Sequence, residues 1–167
     1  MSRRSELLAE RIEQGAEGLA TFAEALSEEQ WQTAVSSTDR RSIGVVVHHV
    51  ASVYPIEIEL ARAIAEGKPV ADVTPEAVNQ MNAKHALEQS NKGKTETLEL
   101  LRRNSRVAAN KVREFTDEEL DQAAEFGLVF GAPVTAQFVM EDHALRHSWH
   151  HLAKIRAALN VKSASAK

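Results

Sequence analysis

Apolar residues recur along this chain at intervals of three and four positions, the spacing that places side chains on one face of an α-helix. Four long segments show this pattern, and none shows the sustained alternation typical of a strand. The predicted helices cover approximately residues 6–26, 43–65, 95–115 and 133–160. The pattern therefore predicts an all-α protein.

The connection between the second and third predicted helices is long and less regular than the rest of the chain. Within it, Thr74 and Pro75 predict the start of a further helical piece, because proline suits the first helical position. A connection of this length lets the two helices that it joins run parallel. We predict a four-helix bundle of up-down-down-up order with a long crossover, forming a single domain over residues 1–160 and followed by a flexible tail at 161–167.

Several local signals refine this prediction. Pro55 lies inside the second helix, where it removes one backbone hydrogen bond and should kink the helix near Ala51. Ser27 and Thr116 each open a capping-box pattern and predict two short helical turns. Ser42 is the predicted cap of the second long helix, and Thr95 that of the third. Residues 126–132 are apolar and contain glycine, and we expect them to form a loop over one end of the bundle.

Composition narrows the functional classes. The chain has 167 residues, a formal net charge of -4 and no cysteine. The absence of cysteine excludes a disulfide framework, a thiolate ligand and a cysteine nucleophile. Lysine and arginine are spread along the chain, so we expect no nucleic-acid surface. Neither an apolar signal region nor a run of about 18 apolar residues is found, which predicts a cytoplasmic protein without a membrane span.

Histidines form the most unusual pattern in the chain. Of seven, four lie within residues 143–151, two form the pair His48-His49, and His85 stands apart. His147 and His151 are four residues apart, which places them on one helical face. On a helical wheel they lie at the edge of the apolar arc, whereas the other two histidines of the cluster, His143 and His150, point towards the polar side.

The same wheel selects His49 from the second helix, because it lies beside the apolar face while His48 points about 100° away. Three neutral imidazoles would leave one open position on a tetrahedral zinc ion, the arrangement typical of a catalytic site. His49 could meet His147 and His151 at one level only if the second and fourth helices are antiparallel. The metal-site prediction and the fold prediction therefore depend on each other.

Two motifs of this chain resemble the DinB/YfiT-like superfamily. They are Ser42 followed by His49, and the run from His147 to Ile155, with its H-x-x-H-H pattern. The match continues through Pro75 with Asn79 and Asn82, the short segment 116–120 and Gly131-Ala132-Pro133. Lys154 departs from the pattern, because relatives often carry glutamine or histidine at that position.

The resemblance implies a four-helix bundle that binds a divalent metal, zinc or nickel, through His49, His147 and His151, and that often forms a homodimer. Characterised relatives include transferases that join small-molecule thiols to electrophiles, and a thiol-dependent isomerase. The resemblance therefore implies a small-molecule substrate, with a low-molecular-weight thiol as co-substrate.

Two functional hypotheses follow. In the first, the chain is an enzyme whose metal activates a thiol, or alternatively water, for transfer to an electrophilic substrate. In the second, it is a non-catalytic metal-binding stress protein or a dimeric interaction bundle. His48, His143 and His150 are expected to be solvated or to lie behind the metal ligands without binding the metal. His85 could border a pocket, but a surface position is favoured. Glu57 and Glu141 project towards core faces, far along their helices from the proposed ligands. Either could orient a substrate or water, or pair with arginine or lysine within the bundle, and the structural role is favoured.

Overall fold

The computed structural model describes the backbone of residues 2–165 and the side chains of residues 2–160. Four long helices form the bundle, and shorter elements lie in the connections. The bounds are α1 Arg3–Glu24, α2 Glu28–Trp31, α3 Ile43–Ala65, α4 Pro75–Glu88, α5 Lys94–Arg113, α6 Asp117–Asp121, β1 Ala123–Glu125, β2 Pro133–Thr135, α7 Ala136–Val139 and α8 Arg146–Ser165. The all-α, up-down-down-up bundle with a long crossover is confirmed.

The core lies where the long helices meet, with α5 packed against both α1 and α3, and α8 packed against α1. The α3 helix begins at its predicted cap, because the Ser42 side chain accepts a hydrogen bond from the backbone N–H of Val45. Both capping boxes, at Ser27 and Thr116, are confirmed. In contrast, α5 begins after Gly93, so the predicted cap at Thr95 is wrong.

The fourth long helix does not begin at Pro133 as predicted. Residues Pro133–Thr135 form β2 instead, which pairs antiparallel with β1. The two strands close the loop that carries Phe126, so the prediction of no strand is also wrong. Strands of three residues are too short to show alternation in a sequence. The helix begins at Ala136, directly after β2, and Thr135 caps it by accepting a hydrogen bond from the N–H of Phe138 at 3.1 Å.

Between α7 and α8 the helix widens into a π-helical segment, Met140–Leu145. A π-helix turns less per residue than an α-helix, so a wheel drawn at 100° per residue loses its phase there. The α8 helix is described as far as Ser165, beyond the predicted end near Asn160. Ala166 and Lys167 lie outside the described residues, and the flexible tail at 161–167 stays a prediction.

The crossover helix α4 packs less deeply against the bundle than the four long helices pack against one another. Thr74 caps it and Pro75 occupies its first turn, both as predicted. None of its residues is fully buried. It therefore lies over the bundle as a cover and contributes little to the hydrophobic core.

The α3 helix is long and apolar enough, by length and composition alone, to cross a membrane. Histidine and charged side chains interrupt it, so it contains no unbroken apolar run of about 18 residues, and the absence of a membrane span stays a prediction. Within its most apolar window, 72% is buried inside the bundle. Burial against other helices is also what the core helix of a water-soluble bundle shows, so length and composition alone are weak support for a membrane span.

Pro55 leaves the carbonyl of Ala51 without its helical donor, as the sequence predicts. Asn104 of α5 supplies a replacement, donating its side-chain N–H to that carbonyl at 2.8 Å. The hydrogen bond compensates for the missing backbone donor and ties α5 to α3.

Replacement of Asn104 by alanine is expected to lower the free energy of unfolding by about 1–2 kcal/mol, because it leaves a carbonyl of α3 without a partner. Urea unfolding should measure this loss. The matched control is the same substitution in a Pro55→Ala background, where the restored backbone N–H should reduce the cost. An equal cost in both backgrounds would contradict the assigned role of Asn104.

Candidate metal centre

Three imidazoles converge from two helices of the bundle. His49 lies on α3, and His147 and His151 lie one turn apart on α8. One nitrogen from each ring can be chosen so that all three lie within 4.8 Å of one another. The ring centroids of His49 and His147 are 5.0 Å apart, and those of His49 and His151 are 6.0 Å apart. The structure thus brings together the three residues that the wheel selects.

Burial keeps two of these rings in the form that can bind a metal. His49 is 5% exposed and His151 is 7% exposed. Removal from water lowers the pKa of His49 to about 3 and that of His151 to about 2, and the neighbouring His147 adds to both shifts. Both imidazoles are therefore neutral at pH 7, and neutral imidazole is the ligand form. Nδ1 of His151 is buried and lacks a hydrogen-bond partner within the described part of the chain.

Glu57 orients the third imidazole. Its Oε1 lies 2.6 Å from Nδ1 of His147. A carboxylate can only accept, so Nδ1 carries the hydrogen and the lone pair of Nε2 is left for a ligand. A carboxylate behind a ligating histidine is a common arrangement in metal sites. The favoured structural role of Glu57, remote from the site, is therefore wrong, because spacing along α3 gives no distance to a ligand on α8.

A cavity of about 340 Å³ adjoins the three histidines. His49, Glu57 and His147 form part of its wall, together with apolar residues of α3 and α4 and Leu128 of the β1–β2 connection. A cavity of this size fits a small organic molecule. The predicted loop over the end of the bundle is thus present and lines the cavity.

His143 also lines this cavity, although the wheel placed it towards the polar side. The π-helical segment contains it and changes its direction, which is why that prediction is wrong. Its ring meets the face of Phe126 edge-on, with 5.7 Å between centroids. Burial lowers the pKa of His143 as well, so it is neutral near pH 7.

The crossover covers a second pair of histidines. Nδ1 of His48 lies 2.9 Å from Nε2 of His85. His48 is buried, so the solvated alternative predicted for it is wrong, and His85, expected at the surface, is partly buried. Helical periodicity could not show that α4 lies over this face of α3. His150 is exposed, as predicted.

Glu141 has the structural role expected for it. It is partly buried, and its Oε1 accepts a hydrogen bond from the Gln137 side chain at 3.0 Å. Another buried contact supports the site from behind: the hydroxyls of Tyr54 and Ser148 are 2.6 Å apart. This hydrogen bond joins α3 to α8, the two helices that carry the histidines.

Fold and site together define a four-helix bundle with a three-histidine centre of the kind that holds a divalent metal. The sequence profile of the DinB superfamily matches residues 11–155, and the chain belongs to that superfamily. This confirms the resemblance drawn from the histidine motifs.

A solved structure shares this fold: YfiT from Bacillus subtilis, described as a probable metal-dependent hydrolase with an unusual four-helix bundle topology. The TM-score is 0.76 and the sequence identity is 17%, with 98% of this chain and 90% of that chain covered. At this identity the likeness shows the fold alone. No curated protein sequence matches the chain.

The neutral state of the buried imidazoles predicts a pH dependence of stability. In the unfolded chain both histidines titrate near their ordinary pKa of about 6.5. Between that pH and about 3 the unfolded state binds more protons than the folded state. The free energy of unfolding of metal-free protein should therefore fall as the pH is lowered through this window, by up to about 1.4 kcal/mol per pH unit for each histidine.

Urea unfolding in the presence of a chelator at pH 7.5, 6.5, 5.5 and 5 would measure this slope. The comparison is a variant in which His49 and His151 are both asparagine, because it retains every carboxylate that titrates in acid. Its slope should be smaller than that of the parent protein. Equal slopes would show that these two imidazoles are not held neutral by folding.

Proposed function

We propose that this protein is a metal-dependent enzyme in which His49, His147 and His151 hold a divalent ion, zinc or nickel. The observation that supports the proposal most directly is the convergence of three imidazoles beside a cavity. Their donors suit the ion: two rings are kept neutral by burial, and the third presents Nε2 because Glu57 holds its Nδ1–H. Three protein ligands leave a coordination position open, as in catalytic zinc sites.

When bound, such an ion lowers the pKa of a thiol or a water molecule in that position and so supplies a nucleophile at neutral pH. The chain's own residues would orient the ligands and shape the substrate cavity. Glu57 keeps His147 in one tautomer and orientation. Val53 and Leu128 line the cavity with apolar surface, which restricts water around a bound substrate. Since the chain has no cysteine, any thiol must come from a small molecule.

The preferred reaction is transfer of a small-molecule thiol to an electrophile, as the superfamily's characterised transferases suggest. Hydrolysis is the second candidate, and it is favoured by the description of YfiT as a probable metal-dependent hydrolase. The two reactions share the site and differ in the nucleophile. The homodimer and the cytoplasmic location inferred from the sequence stay predictions.

Turnover assays would test the proposal and separate the two reactions. Protein stripped with a chelator and reloaded with zinc or nickel would be offered 1-chloro-2,4-dinitrobenzene with cysteine or glutathione, and p-nitrophenyl esters without thiol. We expect one of these two substrate classes to be turned over in a metal-dependent way, faster than by the same metal ion free in solution. Loaded protein that is inert towards a broad panel of both classes would favour a non-catalytic bundle.

A further inference from the structure

Glu57 lines the cavity, and one of its carboxylate oxygens has no hydrogen-bond partner among the described residues. The residue is 5% exposed, and while Oε1 contacts His147, Oε2 is buried without a hydrogen bond in the described part of the chain. A buried carboxylate oxygen that accepts no hydrogen bond is costly, and native proteins rarely leave one unpaired. Because Glu57 is also a lining residue of the cavity, a bound molecule could supply the missing donor.

Another lining residue carries a second such atom. Asn82 of α4 lines the same cavity, and its side-chain Oδ1 is buried without a partner among the described residues. The two unsatisfied oxygens thus belong to residues of different helices that line one cavity. A ligand with an N–H or O–H group can satisfy acceptors of this kind, whereas a carboxylate or phosphate cannot.

The charges around the cavity favour the same ligand chemistry. Two carboxylates border it, Glu57 in the wall and the exposed Asp72 at the mouth. Among the described residues that line it, none is lysine or arginine. In protein without a bound ion, an anion placed here would be repelled by both carboxylates and would meet no lysine or arginine, whereas a cation would be attracted. An ion at the histidines would attract an anionic group that binds to it directly, but the two carboxylates would still disfavour negative charge on the rest of the ligand.

Most of the remaining wall is apolar. Val53 and Ile56 from α3, Val78 and Met81 from α4, and Leu128 contribute aliphatic or thioether surface. Ile56 is 46% exposed and Met81 is 39% exposed, so apolar surface continues to the mouth. This lining would bury a hydrocarbon body and stabilise it by the hydrophobic effect.

We infer that the substrate of this site has an apolar body that presents an N–H or O–H donor to Glu57, and that the part of the substrate not bound to the ion is neutral or positively charged. The inference rests on the proposed function, because it treats the cavity beside the histidine cluster as the substrate site. It adds that a carboxylate or phosphate group on that part of the substrate is disfavoured.

Binding of three probes with the same ring tests this inference: benzylamine, which is cationic, benzyl alcohol, which is a neutral donor, and benzoate, which is anionic. Calorimetry and ligand-observed NMR would be applied to zinc-loaded protein and to chelator-treated protein. The metal-free arm is needed because an ion at the histidines could capture benzoate. In metal-free protein, benzylamine is expected to bind at least about tenfold more tightly than benzoate, and benzyl alcohol should bind with an intermediate affinity.

Three variants assign the preference to the cavity. Glu57→Gln removes the charge but keeps an oxygen that can accept from His147, and Asp72→Asn changes only the exposed mouth. Each should reduce the preference for benzylamine over benzoate by at least about threefold. Glu76→Gln is the matched control on α4, since Glu76 does not line the cavity, and it should leave the preference unchanged. Asp72→Asn keeps the test valid if Glu57→Gln does not fold.

Equal binding of benzoate and benzylamine by metal-free protein would overturn the inference, and so would a preference that persists in both Glu57→Gln and Asp72→Asn. Lack of binding by all three probes up to about 10 mM, where even weak complexes form, would also overturn it. Zinc content measured on the same samples separates the two proposals. Stoichiometric zinc with no preference contradicts only the substrate class, whereas a Glu57-dependent preference in protein that binds no zinc contradicts only the metal site.

Discussion

Protein in which either His49 or His151 is replaced by alanine is expected to lose its zinc or nickel while remaining folded. These residues supply ligands from different helices, and the loss of one leaves two imidazoles for the ion. Removal of a partner that only orients a ligand already costs about 10–100-fold in metal affinity, so loss of a ligand should cost more than about a hundredfold. Elemental analysis of purified protein, with circular dichroism to confirm helicity, would measure the result.

His150→Ala is the matched control for this experiment. His150 is adjacent to His151 in the chain, and their ring centroids are 5.2 Å apart, but it is exposed and lies outside the cluster of three. Its replacement should leave the metal content at one ion per chain. Full metal content in His49→Ala protein would show that α3 provides no ligand, and the proposed centre would have to be abandoned.

Replacement of Gly44 by alanine is expected to destabilise the fold strongly. A Cβ atom at this position of α3 would lie 2.5 Å from Cε2 of Trp31, well inside van der Waals contact. Trp31 is 1% exposed and packed in the core, so the indole cannot move without disturbing its neighbours. Overpacking of this kind costs about 1–3 kcal/mol or more, which outweighs the gain of about 1 kcal/mol from the better helix propensity of alanine.

Gly15→Ala provides a close comparison, because a Cβ there would also meet an indole, at 2.7 Å from Nε1 of Trp149. Trp149 is 46% exposed and can shift towards solvent, so the cost should be much smaller. Thermal and urea unfolding of both variants would measure the difference. If Gly44→Ala is as stable as Gly15→Ala, the close packing of Trp31 on α3 is not a constraint on this fold.

Regular helices explain what could be predicted from the sequence. His49 lies on α3 and His147 and His151 on α8, where the helices keep their ordinary period, so a wheel selects the correct faces. The caps at Ser42 and Thr74 were predictable because each depends on residues within one turn. These signals are local, and the bundle order follows from the long connection between α3 and α5.

The errors arise where structure depends on contacts distant in the chain or on an irregular backbone. His143 was misplaced because the π-helical segment changes the direction of its side chain. The burial of His48 under His85 could not be predicted, because nothing in the period of α3 shows that His85 lies over it. The role of Glu57 was missed for a related reason: spacing along one helix gives no distance to a residue on its neighbour.

The shallow seating of α4 bears on how molecules reach the site. This helix supplies Val78 and Asn82 to the cavity wall, yet none of its own side chains is fully buried. Displacing it would uncover no fully buried residue of α4 itself, so its opening should require less free energy than global unfolding. We therefore expect α4 to open locally and so admit and release ligands, while α3 and α8, which carry the histidines, stay folded.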